Sequence, residues 1–338
     1  MTTPSTTSTT KPTTKPAPRT APAAVPAEAD WDTAPSLLDG AERLELTPSV
    51  CNLRYWLNAV PHGTLRGNVS GHDGHVRPLA AVSAPGPLNS ALTQELAYRS
   101  VAEEKATRAI GHLTALAPDT DSMEFYATQL LDEARHAMVF RDHLLDLGVP
   151  RAALRDTVAR LAATDEERIL LPLEDFGLRV LRDERDFIGG VLVLTVLVEG
   201  VLAPAAELSE RKWRMFDPAA ADIERGAGID EIRHLTVGST IVRDHLRARP
   251  HDKARLLELI REGYALWDKL PTTEVLARRE ELFQEGMERH AGLLGDYEIW
   301  PGRRLADTTA RERLETAHAW AAHLQRTRLA YMGLKEAI

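Results

Sequence analysis

The sequence predicts an all-α fold in which long helices form a bundle within one domain, and three observations support this prediction. Apolar residues recur every three or four positions over long stretches, which is the spacing of one helix face. Runs in which apolar and polar residues alternate, as they do in β-strands, are few after residue 31. The breaks between the helical stretches are short and polar, which is typical of helices that pack against their neighbours in a bundle.

The composition supports a single large domain over residues 31–338. The chain has 338 residues, of which 43% are hydrophobic and 27% charged, so it has enough apolar side chains for a sizeable core. Residues 1–30 are mostly Thr, Pro, Ala and Lys, with almost no large apolar side chains. We expect this segment to be a disordered tail, because it cannot bury enough surface to offset the entropy lost on ordering. It also lacks the uninterrupted apolar run of a secretory signal peptide.

The charge and the cysteine count exclude several classes of function. A formal net charge of −9 and a pI of about 5.8 argue against nucleic acid or an anionic membrane as the main partner. Cys51 is the single cysteine, so the chain cannot form an internal disulfide, a zinc–thiolate site or an iron–sulfur cluster. We therefore expect a cytoplasmic protein in which carboxylates and imidazoles hold any metal.

The helices can be predicted in chain order. The first long one covers 91–117 and ends at APDTDS, where proline and aspartate break one helix and cap the next. Further helices are expected over 122–147, over 154–183 with an interruption near Pro172, and over 187–208. The apolar run at 191–198 is too short to span a membrane, so we interpret it as part of a buried helix.

The second half of the chain continues the helical pattern. A connector, RKWRMFDPAAAD, leads to predicted helices over 223–249, 253–269, 273–294 and 308–334. The segment GDYEIWPGRR is expected to be a loop. The last helix is amphipathic, and we expect it to pack on the bundle or against a second copy in a homodimer.

Two nearly identical pentapeptides, DEARH at 132–136 and DEIRH at 230–234, lie 98 residues apart within predicted helices. Glu133 and His136 are three residues apart, as are Glu231 and His234, so each pair projects from one helix face. One Glu-x-x-His is weak evidence for a metal site, because charged residues are common on helix surfaces. Two copies beside apolar residues are much harder to explain as solvated surface.

Two further carboxylates complete a possible ligand set. Glu199 lies in LTVLVEGVLA, where a buried carboxylate costs several kcal/mol unless it is protonated, paired or bound to a metal. Upstream, VAEEKATRAI offers Glu103 and Glu104. Periodicity favours Glu103, which shares the apolar face of its helix, whereas Glu104 falls nearer Arg108. Glu104 remains the alternative.

One Glu from each of two helices and one Glu-x-x-His from each of two others form the ligand set of ferritin-like dimetal carboxylate sites. Carboxylate oxygens and imidazoles suit iron or manganese. The carboxylates follow each other at intervals of 30, 66 and 32 residues, which leaves room for antiparallel helices and a crossover between the second and third. The predicted ligands, within a metal-binding core at about 91–249, are Glu103, Glu133, His136, Glu199, Glu231 and His234.

The D-E-x-R-H form makes the resemblance more specific. Over about 92–246 the chain resembles the ferritin-like di-iron oxygenases, in particular the hydroxylase subunits of bacterial multicomponent monooxygenases such as toluene and methane monooxygenase. The resemblance implies that each Asp before a ligating Glu orients the histidine of the opposite helix and that the Arg holds the Asp. Asp132 would then orient His234 and Asp230 would orient His136. Arg135 and Arg233 would hold the two aspartates.

Three departures from related families narrow the expected activity. Phe140 stands where ribonucleotide reductase small subunits carry a radical tyrosine, which argues against a radical generator. Ala203 replaces the threonine of toluene-type hydroxylases, and Ala227 replaces a third histidine of arylamine N-oxygenases. The short chain is more similar to the stand-alone di-iron oxidases of bacterial specialised metabolism, such as antibiotic biosynthesis, some of which oxygenate amines or hydrazines.

The resemblance implies an enzyme that uses two iron ions, or manganese and iron, to activate dioxygen and oxidise a small organic substrate. We expect N-oxygenation of an amine or hydrazine, by analogy with those relatives. A C–H or aromatic hydroxylase, a ferroxidase or iron store, and a helical scaffold without a metal are the alternatives. No flavin or iron–sulfur domain is encoded, so electrons would come from a separate reductase, a small redox partner or the substrate.

Several histidines outside the motifs are interpreted as structural. His112, His143 and His245 lie near predicted helix ends, where surface or capping roles are common. The glycine-rich segment HGTLRGNVSGHDGH, residues 62–75, could form a lid or a second metal site, but its composition favours a plain loop.

Overall fold

Helices form 77% of the chain, which confirms the predicted all-α class. The structure is a computed structural model that describes residues 25–65 and 68–337. In chain order the helices are α1 (Leu53–Gly63), α2 (Ala80–Ser83), α3 (Pro87–Leu116), α4 (Thr120–Asp146), α5 (Leu154–Asp165), α6 (Leu171–Leu178), α7 (Phe187–Leu192), α8 (Gly200–Trp213), α9 (Pro218–Ala248), α10 (Lys253–Trp267), α11 (Thr272–Arg289) and α12 (Ala310–Met332).

The two breaks that precede α4 and α9 contain capping aspartates. The side chain of Asp119 accepts a hydrogen bond from the backbone N–H of Ser122 at 2.8 Å and begins α4. Asp217 accepts from the backbone N–H of Ala220 at 3.0 Å and begins α9, and Pro218 occupies the first turn. Each cap satisfies a backbone donor that the helix itself leaves free. The segments APDTDS and RKWRMFDPAAAD each contain the aspartate that caps the following helix, so a new helix begins within each of them.

Three widened, π-helical segments occur within two of the predicted helical stretches. The predicted helix over 154–183 consists of α5 and α6 with π-helical segments at Glu166–Leu170 and Arg179–Asp183, so the interruption near Pro172 is confirmed. A third π-helical segment, Val193–Glu199, joins α7 to α8. Such segments change the direction in which the following side chains project, and they are frequent at functional sites.

The predicted buried helix over 187–208 extends to Trp213. By length and composition alone the stretch Phe187–Trp213 could cross a membrane, but 72% of its most apolar window is buried inside the structure. Core helices of globular proteins pass the same test. Packing within the bundle is therefore sufficient to explain the apolar run that contains Glu199.

Four long elements surround the buried interior of the bundle. Helix α3 packs along α4, α4 also contacts α9, and α9 packs along α8 and the π-helical segment before it. Gly238 on α9 allows this close approach, because a Cβ atom there would collide with the side chain of Thr195. Helices α11 and α12 pack against each other, α11 against α3 and α12 against α8. Both DExRH segments face the interior that α3, α4, α8 and α9 enclose.

Some sequence predictions differ from the structure. The segment GDYEIWPGRR, expected to be a loop, contains a short antiparallel hairpin of β1 (Glu298–Trp300) and β2 (Arg303–Arg304). Its strands are too short to give an alternating pattern. Of the predicted tail at 1–30, residues 1–24 lie outside the described residues. Residues Ala27–Ala29 form a 3-10 turn in which Ala29 is buried.

Candidate metal centre

The six predicted ligands lie together inside the bundle and form two groups of potential metal donors. Within each group the donor atoms all lie within 4.8 Å of one another. Glu133 belongs to both groups, so one carboxylate stands between two potential metal positions. The first group is Glu103, Glu133 and His136, and the second is Glu133, Glu199, Glu231 and His234. These buried groups could hold metal ions.

The candidate ligands lie at corresponding positions on α4 and α9 and at the end of the π-helical segment before α8. Glu133 and His136 lie one turn apart on α4, and Glu231 and His234 occupy the corresponding positions on α9. Glu199 is the last residue of the π-helical segment before α8. Gln129, one turn before Glu133, donates a hydrogen bond of 2.5 Å to Oε1 of Glu199.

The choice between the two adjacent glutamates of α3 follows from their surroundings. Glu103 lies beside Glu133 and His136. Glu104 points outward, where its side chain is 57% exposed and forms an ion pair of 2.6 Å with Arg108. The geometry therefore favours Glu103 as the donor from this helix.

The aspartates of the two pentapeptides reach across the bundle to the opposite histidine. Nε2 of His136 lies 3.2 Å from Oδ2 of Asp230, and Nε2 of His234 lies 3.3 Å from Oδ2 of Asp132. Nδ1 of each histidine faces the shared carboxylate, at 3.1 Å from the nearer oxygen of Glu133. An acceptor at one ring nitrogen leaves the other nitrogen free to bind a metal.

Two arginines hold the aspartates in place. Nη2 of Arg135 donates to Asp230 at 2.5 Å, and Arg233 contacts both Asp132 and Asp230. These charges lower the pKa of Asp230, despite the opposing effect of its burial. Asp230 is therefore held as an anionic acceptor for His136.

Sequence reasoning missed two more hydrogen-bond donors to the aspartates. Nε1 of Trp56, on α1, donates to Asp132 at 2.8 Å. The hydroxyl of Thr64, just after α1, lies 3.3 Å from Oδ1 of Asp230. Helix α1 was not individually predicted, and no motif links it to the pentapeptides. Only the tertiary structure could identify these donors.

Burial raises the pKa of three of the four carboxyl groups. It is the largest cause for Glu103, Glu199 and Glu231, and the charges of neighbouring glutamates add to it. Four carboxylates therefore cannot all ionise at low cost in this interior without additional positive charge. Two divalent cations would supply that charge.

Glu133 behaves differently from the other three glutamates. Burial opposes its ionisation, but contacts with His136 and His234 lower its pKa. Burial also opposes protonation of His136, yet hydrogen bonds with Asp230 and Glu133 raise its pKa to about 10. The contacts with the two histidines therefore favour the ionised form of the shared carboxylate.

Several buried atoms of the cluster have no hydrogen-bond partner among the described residues. They include one oxygen each of Glu133, Glu199 and Glu231 and Nδ1 of His234. Although Nδ1 of His234 lies 3.1 Å from Glu133, the geometry is not that of a hydrogen bond. Unsatisfied buried polar atoms are rare in folded proteins because each costs about 1–3 kcal/mol. These unpartnered atoms lie close together, so the residues fit a bound metal ion.

A cavity of about 40 Å³ borders the cluster. Its lining includes Phe140, Ala203 and Ala227. The side chains of these three residues are apolar, so this part of the wall has no hydroxyl or imidazole group. Arg99 and Leu202 also line a larger cavity of about 180 Å³ between α3, α8, α11 and α12.

A separate group of potential donors lies near one end of α4. It comprises His72, His143 and Asp146, the last of which is exposed. The interpretation of His143 as a surface or capping residue is wrong, because its side chain is buried. The i, i+3 pair His143 and Asp146 was a visible signal, but its partner His72 comes from the segment interpreted as a plain loop.

The other histidines that were set aside have different surroundings. His245 pairs with Asp252 at 2.7 Å near the end of α9. His112 is partly buried on α3 and belongs to none of the donor groups found among the described residues.

The sequence as a whole matches no protein-family model and no curated protein.

Proposed function

We propose that the chain is a non-haem di-iron protein that activates dioxygen and oxidises a small organic substrate. The observation that carries the proposal is the convergence of four glutamates and two histidines into two donor groups that share Glu133. The proposed ligands of one iron are Glu103, Glu133 and His136, and those of the other are Glu133, Glu199, Glu231 and His234.

The charge of the cluster supports this assignment. Four carboxylates balance two divalent cations, and the arginines behind the aspartates neutralise the surrounding anions. Mixed oxygen and nitrogen donors suit iron, and a manganese–iron pair is the alternative. We also propose a ferritin-like topology, because α3, α4, the π-helical segment before α8, and α9 supply the ligands in the chain order that such sites use.

When bound, the metals would supply the reduction of dioxygen, and the protein's own residues would control its surroundings. Asp132 and Asp230 keep the histidine ring nitrogens that face the cluster available by accepting from the opposite nitrogens. Phe140, Ala203 and Ala227 form an apolar wall that limits the entry of water. The cavity of about 40 Å³ has room for a molecule of the size of dioxygen.

The larger cavity is the proposed substrate-binding region. It shares the lining residues Arg99 and Leu202 with the smaller cavity, so the two cavities are adjacent. Its volume of about 180 Å³ suits a small organic molecule. Oxidation at nitrogen, in an amine or hydrazine, remains our preferred reaction by analogy with similar stand-alone oxidases. A separate reductase, a small redox protein or the substrate would supply electrons.

Metal loading under anaerobic conditions tests the proposal directly. We expect two iron ions per chain in the wild type and loss of at least one in Glu199→Ala. Glu103→Ala and Glu104→Ala form a matched pair, because the residues are adjacent but only Glu103 faces the cluster. Only Glu103→Ala should lose iron. Fewer than one iron per wild-type chain, or equal losses in the matched pair, would contradict the proposed ligand set.

Reaction with dioxygen separates the proposed activity from iron handling. The reduced iron-loaded protein should consume dioxygen stoichiometrically and change its optical spectrum, and Glu231→Ala should remove both effects. Amines, hydrazines and aromatic compounds can then be tested for a gain of one oxygen atom by mass spectrometry. Oxidation of many ferrous ions per chain, with no organic product, would assign the protein to iron handling instead.

A further inference from the structure

We propose a second, mononuclear metal site, formed by His72, His143 and Asp146 and independent of the di-iron cluster. The donor atoms of these three side chains lie within 4.8 Å of one another. His72 comes from the segment between α1 and α2, and the other two residues lie one turn apart near the end of α4. The ion proposed to bind there is Zn²⁺ or a similar divalent first-row metal ion.

Each histidine has one ring nitrogen held by an oxygen and the other directed towards the proposed metal. Nδ1 of His72 lies 2.9 Å from the backbone carbonyl oxygen of Asp73, which leaves Nε2 facing Asp146 at 3.6 Å. Nε2 of His143 lies 2.8 Å from Oδ2 of Asp217, which leaves Nδ1 at 3.3 Å from the same oxygen of Asp146. Histidines that bind metals usually donate their second N–H to an oxygen in this way.

Burial distinguishes this site from an ordinary surface cluster. His72 and His143 are buried, whereas 45% of the Asp146 side chain is exposed. Nδ1 of His143 makes no hydrogen bond within the described part of the chain, although it is buried and directed at Asp146. The site is therefore accessible to solvent on the side of Asp146, and an ion can reach the two buried imidazoles from there.

The donor set determines the class of ion. Two imidazole nitrogens and a carboxylate favour zinc and similar first-row metals over magnesium or calcium, which prefer oxygen ligands alone. The three side chains leave at least one coordination position open for water.

The position of the site indicates a structural role. Gly71, beside His72, has a φ of +75° and packs closely against Val139 of α4 and Ile223 of α9. Asp217, the partner of His143, caps α9. An ion bound at this site would therefore link the segment between α1 and α2 to α4 and α9, the two helices that carry the DExRH pentapeptides.

Zinc binding to the iron-loaded full-length chain tests the inference. A chromophoric chelator competing for Zn²⁺ should reveal one additional equivalent in the wild type. Asp146→Asn and His72→Gln should each weaken this binding at least tenfold. His75→Gln is the matched control, because His75 lies in the same segment but is exposed and outside the donor group. It should retain the additional equivalent.

A second measurement identifies the ligands. X-ray absorption at the zinc edge should show two imidazoles in the wild type, and one in His72→Gln at zinc concentrations that saturate the weakened site. If the wild type binds no additional zinc, or if Asp146→Asn and His72→Gln bind it as tightly as the control, the inference is wrong. Iron binding is measured separately, so this result does not depend on the di-iron proposal.

Discussion

Two groups of buried charges both include residues of α3 and α9 but differ in composition. The first is the candidate metal-binding cluster of four glutamates and two histidines. The second, here called the lysine network, lies beside the larger cavity. Its members are Glu95, Arg99, Lys212, Glu224, Glu280 and Arg313.

The lysine network contains its own cations. Nζ of Lys212 lies 2.9 Å from Glu95 and 2.6 Å from Glu280, and Arg313 lies 2.7 Å from the other oxygen of Glu280. Burial opposes the ionisation of Glu95, but the charges of Lys212 and Arg99 outweigh it and lower its pKa to about 2. These carboxylates are satisfied by the protein alone.

The metal-binding cluster has its fixed cations outside its donor groups. Arg135 and Arg233 contact the aspartates, not the four glutamates. The pKa of Glu199 is therefore raised, mainly by burial, whereas that of Glu95 is lowered. Buried charge alone therefore does not identify a ligand site. The cluster differs from Glu95 and Glu280 in bringing together several carboxylates that have oxygens without a hydrogen-bond partner among the described residues.

The largest expected effect is on stability, in the lysine network. Lys212→Met keeps the apolar length of the side chain but removes the cation between Glu95 and Glu280. Removing one partner of a buried ion pair typically costs about 3–5 kcal/mol, so we expect a loss of that size in the free energy of unfolding. Urea denaturation of the metal-free protein would measure it. Lys253→Met, which disrupts an exposed ion pair with Glu336, should cost about 1 kcal/mol or less.

The corresponding change in the cluster should hardly affect the metal-free protein. Glu199→Gln keeps the shape of a side chain whose pKa is already raised, so the free energy of unfolding should change by about 1 kcal/mol or less. It should nevertheless lose iron. If Lys212→Met and Glu199→Gln destabilised the metal-free protein equally, the distinction between the two groups of charges would not hold.

A smaller effect is expected from the aspartates behind the histidines. Asp132→Asn removes the charge that Oδ2 presents to Nε2 of His234, while Trp56 can still donate to the amide oxygen. Losing such a support typically weakens metal binding by about 10–100-fold. Iron affinity measured by chelator competition should fall in this range. Asp121→Asn, in the exposed first turn of α4, is the control and should leave the affinity unchanged.

The sequence predicted the cluster better than it predicted the lysine network. The repeated D-E-x-R-H pentapeptides identify four potential ligands by their spacing alone, and Glu199 stands out as a charge in an apolar run. Lys212 and Glu280, by contrast, come from different helices and belong to no motif, so their pairing depends on how α8 and α11 pack. Helix α1 was missed for the same reason. The segment that contains His72 was considered as a second metal site, but its composition favoured a plain loop, and its pairing with His143 depends on the tertiary structure.

The last prediction concerns the pH dependence of stability and tests the boundary between the two groups. Burial raises the pKa of Glu224 to about 7 from its ordinary value of 4.5, although Arg99 lies 2.7 Å away and opposes the shift. A raised pKa in the folded state means that the folded protein binds more protons than the unfolded chain. The resulting stability is fully present below pH 4.5 and is lost as the pH rises through about 7.

Glu224→Gln should remove this contribution. Between about pH 5 and pH 7 the free energy of unfolding of the wild type should fall more steeply than that of the variant, by at most about 1.4 kcal/mol per pH unit. Urea denaturation at several pH values measures both slopes, and Glu258→Gln on the exposed face of α10 controls for the substitution itself. Equal slopes in wild type and Glu224→Gln would mean that Arg99 keeps Glu224 ionised throughout. Glu224 would then behave like Glu95 and Glu280, whose pKa values are lowered by the cations of the lysine network.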